Sequence, residues 1–149
     1  KLSKVYNDIY NSKTISLRYF NVYGNRQPLR GQYAPVIGLF LEQLKNKKPL
    51  TIVGDGAQRR DFTHVSDVVN ANILAAFTEV DKNSFGQVYN VGTGKNYSII
   101  EIAHMISDNI IFIDQRQGEA KETLANITKM VDTFGWIPQV DLKEWLTSV

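Results

Sequence analysis

Thr14-Ile15-Ser16-Leu17-Arg18-Tyr19-Phe20, followed at once by Asn21-Val22-Tyr23-Gly24-Asn25-Arg26-Gln27-Pro28, decides how the rest of the chain is read. The first seven residues are rich in β-branched and aromatic side chains, which suit a pleated backbone. Their polar–apolar alternation is incomplete, so the segment reads as a strand covered on both faces. Asn21 to Pro28 then break the pattern with turn formers, and a loop begins. A strand that stops in a polar loop is the usual place for a ligand in an α/β protein.

Working backwards, Leu2, Val5 and Ile9, with Tyr6 and Tyr10, recur at helical spacing, so the chain opens inside a helix. No capping residue precedes it, and Lys1 opposes the helix dipole. A frayed start or a missing upstream segment would each account for this.

Working forwards, Val36, Ile37, Phe40, Leu41 and Leu44 form one stripe of a helix from about Ala34 to Lys47. Leu50 to Val53 is a short strand ending at Gly54-Asp55-Gly56, a tight turn into the Arg60 to His64 segment. Val65, Val68, Val69, Ile73, Ala76 and Phe77 form the apolar stripe of a helix reaching about Val80. Gln87 to Val91 is a strand and Gly92-Thr93-Gly94 its turn. Ser98 and Glu101 have the spacing of a capping box, opening a helix to about Ser107. Ile110 to Ile113 is a further strand, Asp114 to Glu122 a polar loop, and short helices at Ile127–Phe134 and Leu142–Leu146 flank Gly135-Trp136-Ile137-Pro138. The fold class is α/β.

Composition narrows the function. The 149 residues suffice for a buried core, and 43% hydrophobic with 21% charged residues is ordinary for a globular protein. Seventeen basic against 15 acidic side chains give a net charge of +2, with no basic run, so nucleic acid is not an expected partner. There is no cysteine, which fits a reducing compartment, and no apolar run approaches the ~20 residues of a membrane span. A cytoplasmic protein is expected.

Few clusters could carry chemistry. Gly92-Thr93-Gly94-Lys95 lacks the remainder of a phosphate-loop or dinucleotide fingerprint and reads as a plain turn. His64 reads as a helix-entry residue with a satisfied ring. His104 reads as a helical residue without a carboxylate or second histidine at ligand spacing, so no metal site is expected. Arg60 and Arg116, on loops at strand ends, are more informative, because a guanidinium fork matches phosphate oxygens. From spacing alone each could equally form a surface ion pair.

A family likeness weights these alternatives. Leu17 to Gln27 resembles the L-R-Y-F-N-V-Y-G-x-R-Q stretch of UDP-glucose 4-epimerase-like enzymes of the extended short-chain dehydrogenase/reductase family. Pro49 to Gly56 with Arg60 to Val68 is similar to that family's P-L-T-I-x-G-D-G…R-D-F-x-x-V-x-D-V block. Tyr89 to Gly94 is similar to its Y-N-V-G-T-G, Arg116 to Glu119 to its R-x-G-[DE], and Gly135 to Pro138 to its G-W-x-P. The motifs stand in family order along nearly the whole chain. The resemblance implies the C-terminal part of an extended Rossmann-type enzyme, mainly its small substrate-binding domain. Residues 1–24 would be the tail of an NAD-binding domain, and residues 25–149 the sugar-nucleotide domain, with some segments returning to the first.

By the same resemblance, Phe20 would lie beside the nicotinamide of NAD and Asn21 would donate to the sugar-nucleotide diphosphate. Arg60 and Arg116 would clamp that diphosphate. Gln32, Tyr33, Thr51, Ile52 and Val53 would line the nucleoside pocket, Glu119 would accept from the ribose hydroxyls, and Thr123 would touch a sugar. The complete enzyme would be a homodimer acting on a UDP-sugar. NAD would take a hydride from C4 of the hexose and return it on the other face. A nucleotide-sugar 4,6-dehydratase or decarboxylase, or a binding module without catalysis, fits the same motifs. The Gly-rich NAD turn and the Y-x-x-x-K pair are absent, and Lys1 aligns beyond the catalytic lysine, so no catalytic residue is expected here. The stretch between Ile106 and Arg116 is also shorter than the family's.

Overall fold

A computed structural model describes residues 2–29, 34–115 and 118–149. The elements in order are α1 (Leu2–Tyr10), β1 (Ile15–Tyr19), β2 (Val22–Tyr23), α2 (Val36–Lys45), β3 (Leu50–Val53), β4 (Arg59–Arg60), β5 (Thr63–His64) and α3 (Val65–Phe77). They continue with a 3-10 turn (Lys82–Ser84), β6 (Gln87–Val91), β7 (Tyr97–Ser98), α4 (Ile99–Ile106), β8 (Ile110–Ile113), α5 (Thr128–Phe134) and α6 (Leu142–Thr147). β3, β6 and β8 have the bounds read from the sequence. α2 to α5 are slightly shorter than read and α6 is one residue longer, and the two-residue strands and the 3-10 turn were not anticipated.

Pairing is mostly parallel. β1 runs beside β6 in the register Ile15↔Gln87 to Tyr19↔Val91, and β3 beside β8 from Leu50↔Ile110 to Val53↔Ile113. The short β2–β5 pair is also parallel, whereas β4–β7 is antiparallel. Parallel pairs require crossovers, which α2 to α4 supply on passing from strand to strand.

Two apolar cores result. The first gathers Tyr23, Ile37, Phe40, Leu50, Ile52, Phe62, Ile99, Ile102, Leu142 and Leu146. The second packs Val68, Ala71, Tyr89, Val91, Met130, Phe134 and Trp136, with Ile15 and Leu17 of β1 against it. Gly135 ends α5 with φ +64, a left-handed backbone that favours glycine, and turns the chain so that Trp136 enters the second core. The Trp136 indole donates to the Asp67 carbonyl at 3.0 Å, and the Asp67 carboxylate accepts from the Gln139 and Val140 amides.

Two expectations are corrected. β1 is not covered on both faces: Ile15 and Leu17 pack on the second core, but Arg18 and Tyr19 are exposed. The opposite face is hydrogen-bonded to α1 through Ser3, whose hydroxyl bonds that of Ser16 and whose carbonyl accepts from the hydroxyl of Thr14 just before β1. The stripe read for α3 is likewise mostly outward. Val68 and Ala71 are buried, while Val69, Ile73 and Phe77 face solvent. α3 is apolar around most of its circumference, so sequence alone does not select its packed side. α1 buries no residue, and Leu2, Val5, Tyr6, Ile9 and Tyr10 form an exposed stripe.

Candidate functional site

The site grows from the short antiparallel pair β4–β7 and from the loop at Glu122, which makes a single parallel bridge to Arg59. The Thr123 amide donates to the Arg59 carbonyl at 3.0 Å, fixing that loop against β4. The Thr123 hydroxyl then accepts from the Asp61 amide and donates to Asn21 Oδ1, both at 3.4 Å. Asn21 is held in turn by its carbonyl, which accepts from the Thr63 amide at 3.2 Å. Residues 102 positions apart are therefore joined at one sheet end.

Arg60 projects from the same strand and is largely buried, its side chain 12% exposed. Its Nη1 donates to the Arg59 carbonyl at 2.8 Å and its Nη2 to Glu119 Oε1 at 3.2 Å. The two residues expected to hold diphosphate and ribose thus face one another as an ion pair. Glu119 also lines a cavity of about 280 Å³, with Val53, Gly54, Gln58 and Gln115 among its other walls. Among the described residues, Arg60 is linked to that cavity by its bond to Glu119.

The Leu50–Val53 strand contributes unevenly. Val53 lines the cavity, and its carbonyl accepts from Gln58 Nε2 at 3.1 Å. Ile52 is fully buried in the first core, so it can present only backbone to a ligand. Thr51 is occupied by Gln43, whose amide donates to its hydroxyl at 2.8 Å and whose oxygen accepts from its backbone at 3.1 Å. Phe20 sits past the end of β1, its amide bonded to the Val91 carbonyl at 3.0 Å. Gln32, Tyr33 and Arg116 lie outside the described residues.

Sequence reasoning passed over Gln58, Gln115 and Lys121, which line the cavity. The signal available was their position just after the glycine turn and inside the polar loop. It also passed over Asp61. That carboxylate is fully buried and accepts from the Thr93 amide and hydroxyl (both 2.8 Å), the Gly94 amide (3.0 Å) and the Ala125 amide (3.1 Å). The Gly92-Thr93-Gly94 turn does therefore bind an anion, but the anion is the chain's own. Gly92 tolerates no side chain, because a Cβ there would collide with Ala125 and crowd the Asp61 carboxylate.

Both histidine readings need correction. His64 Nδ1 caps α3 by accepting from the Ser66 amide at 3.3 Å, and it bonds the Ser66 hydroxyl at 2.7 Å, but Nε2 is buried without a partner. The rings of Tyr23 and Trp145, 5.2 and 5.7 Å away, leave the imidazole half-satisfied. Burial pushes its pKa below the ordinary value, against an opposing pull from Asp67. Burial likewise pushes the Tyr23 phenol up, aided by Asp67 and Asp141. His104 does have a carboxylate one turn on: Asp108 bonds its Nδ1 at 2.9 Å, on the exposed side of α4. Among the described residues no cluster of His, Cys, Asp or Glu could hold a metal ion, and no helix is long and apolar enough to cross a membrane.

A cleft of about 800 Å³ between β1 and α3 is lined by Ile15, Leu17, Ala76 and Phe77 among others, and by none of the candidate residues that the structure describes. The polar constellation sits at the smaller one.

Parallel strands with helical crossovers, and a cleft where a strand end meets loops, place the chain among the α/β proteins that bind ligands beyond their strand ends. Comparison with known proteins agrees. Residues 1–92 match the profile of the NAD dependent epimerase/dehydratase family, and the chain belongs to that family. It is 39% identical to a provisionally named UDP-glucose 4-epimerase of Methanocaldococcus jannaschii, over 98% of this chain and 47% of that protein. The UDP-glucose 4-epimerase of Thermotoga maritima, solved with UDP-glucose, superposes with a TM-score of 0.86 at 32% identity, covering 96% of this chain and 46% of that one. The UDP-glucuronic acid 4-epimerase of Bacillus cereus, solved with UDP-glucuronic acid and NAD, gives 0.84 at 33%, covering 98% and 46%. The chain thus spans about half the length of the relatives it matches.

Proposed function

We propose that this chain is the sugar-nucleotide-binding part of an NAD-dependent nucleotide-sugar 4-epimerase, of the UDP-glucose or UDP-N-acetylglucosamine type. The observation that carries the reading is the convergence of Asn21, Arg60, Glu119 and Thr123 at one sheet end, beside the cavity walled by Val53 and Gln58. On this reading Arg60 supplies charge-assisted donors to the diphosphate, joined by Asn21, and Arg116 is proposed as its companion. Val53 and the Thr51 and Ile52 backbone, with Gln32 and Tyr33, form the slot for the base. Glu119 accepts from the ribose and Thr123 stands next to a sugar. Gripping the nucleotide while leaving the hexose free to turn is positioning chemistry, in which remote binding energy serves the reacting carbon.

The residues described do not fit a dinucleotide cofactor by themselves. Phe20 offers a flat neighbour for a nicotinamide, but the amides of the Gly92-Thr93-Gly94 turn are committed to Asp61. The redox step lies beyond what these side chains can perform. We assign β1, β6, α3 and α5, which surround the second core, to one unit with residues 1–24, and the first core to the substrate domain, with Tyr23 reaching from the former into the latter. A cytoplasmic homodimer belongs to the same reading, with the exposed stripe of α1 as the subunit face.

Titration calorimetry of the chain with UDP and UDP-glucose tests the proposal. Binding of both is expected, with loss of about 2–4 kcal/mol in Arg60→Ala, as for other charge-assisted contacts. Equal affinity of the variant and the parent chain would refute it.

A further inference from the structure

The Arg60–Glu119 pair raises a question the proposed binding role leaves open: how a site built around an arginine avoids filling with free phosphate. We propose that Glu119 is a specificity-determining residue that reserves Arg60 for diphosphates carrying a ribose, by neutralising the guanidinium until a sugar diol draws the carboxylate away. This inference rests on the nucleotide-binding reading above.

Both terminal nitrogens of Arg60 already have acceptors, the Arg59 carbonyl at 2.8 Å and Glu119 Oε1 at 3.2 Å. The arginine is only 12% exposed and the glutamate 32%, so the pair is poorly screened by solvent. An inorganic anion entering here meets a guanidinium whose charge is matched and a carboxylate that repels it. To gain Arg60 it must break the pair around a largely buried guanidinium, while the more exposed Glu119 carboxylate stays close enough to repel it. Among the described residues, the other ionisable groups on the cavity wall, Asp55 and Lys121, are one of each sign and offset each other. The Arg60–Glu119 pair is therefore where the described residues meet an anion with both a donor and a repelling charge.

A nucleoside diphosphate differs because it brings the replacement with it. Its phosphates take the guanidinium, and its vicinal hydroxyls donate to the released carboxylate, which lies on the wall of the cavity that would hold the nucleoside. Every group ends with a partner, and only the intact ligand satisfies both sides of the exchange. Selectivity then arises from a repulsive element built into the site as well as from an attractive one.

Calorimetry at low salt on the chain, with inorganic pyrophosphate and UDP as separate probes, tests this in the parent, Glu119→Gln and Glu119→Ala. Circular dichroism and melting establish that the two variants fold like the parent. Pyrophosphate affinity should rise about tenfold in both variants, the order expected when one close like charge is removed. UDP affinity should stay level or fall, because the ribose loses its acceptor while Arg60 becomes free. The ratio of UDP to pyrophosphate affinity should therefore drop at least about tenfold. Pyrophosphate affinity unchanged within twofold in both variants would overturn the inference while leaving nucleotide binding intact. An equal rise for both probes would also overturn it, since Glu119 would then repel anions without reading the ribose. Failure of the parent chain to bind UDP at all would overturn the nucleotide reading and this inference together.

Discussion

Replacing Asp61 with asparagine should be among the most damaging single changes in this chain, although Asp61 is assigned no contact with any ligand. Its two oxygens receive four hydrogen bonds, Oδ1 from the Thr93 amide and hydroxyl and Oδ2 from the Gly94 and Ala125 amides, all between 2.8 and 3.1 Å. An asparagine does best by keeping the Gly94 and Ala125 amides on its oxygen, which turns its NH2 toward the Thr93 amide and hydroxyl in a fully buried place. The hydroxyl can rotate to accept from the NH2 and donate to the Lys95 carbonyl, but the Thr93 amide loses a charge-assisted bond worth roughly 1.5–3 kcal/mol and is left unsatisfied, and the two kept bonds lose their charge assistance. Discounting for relaxation, about 2–4 kcal/mol of stability should go, a large share of the 5–15 kcal/mol typical of a domain. Urea denaturation followed by tryptophan fluorescence would measure it, with a lower midpoint at unchanged slope as the expected result. A variant within about 1 kcal/mol of the parent would refute the view that the Gly92-Thr93-Gly94 turn is an anion cradle filled from within.

Other expectations concern protonation, capping and the cofactor. Because burial lowers the His64 pKa, the unfolded chain binds more protons than the folded one between the folded pKa and 6.5. Stability should therefore be complete above 6.5 and fall as pH drops below it, and His64→Gln should flatten that limb in melting experiments. Glu101, held below the ordinary carboxylate range by the Ser98 amide and hydroxyl and by Arg59 at 3.1 Å, works in a lower window. Its contribution is present above its unfolded pKa and lost as pH falls through the folded one. Glu101→Gln should cost about 0.5–1 kcal/mol at neutral pH and should lose less on acidification, as read from denaturation at pH 7 and pH 3. Mixed with NAD and UDP-glucose, the chain should neither turn over nor bind the dinucleotide detectably in calorimetry, whereas measurable epimerisation would contradict the division of labour proposed here.

What the sequence made legible was what depends on near neighbours. Leu50–Val53, Gln87–Val91 and Ile110–Ile113 are dense enough in strand formers to be bounded by eye. The Ser98–Glu101 capping box closes within one helical turn, and both of its hydrogen bonds are present. The two-residue strands escaped because a partner distant in sequence defines them: Arg59 pairs with Ser98, and Val22 with Thr63. Asp61 escaped for the same reason, its donors lying 32 to 64 residues away in a chain where an Arg-Asp dipeptide looks solvent-exposed. The outward face of α3 was misread because Val69, Ile73 and Phe77 are as apolar as the buried Val68 and Ala71. At the site, motif order placed Arg60, Glu119, Asn21 and Thr123 on one list, but only the folded chain reveals that the first two hold each other.

The interleaving of the two cores bears on how the molecule assembles. The second core draws on residues up to Trp136, whereas the first must wait for Leu142 and Leu146 to join Tyr23 and Ile37. Closing the first core therefore brings together parts of the chain more than a hundred residues apart, with the entropy of a long loop to overcome before most contacts form. Folding of this kind is governed by topology and is slow compared with that of a helical bundle of equal length. On a ribosome, α2, β3 and α4 could pack on one another as they emerge, but the part of the first core formed by Leu142 and Leu146 stays open until α6 follows. A stop placed before Leu142 would leave the polar constellation of Arg60 and Glu119 on a scaffold whose core never seals.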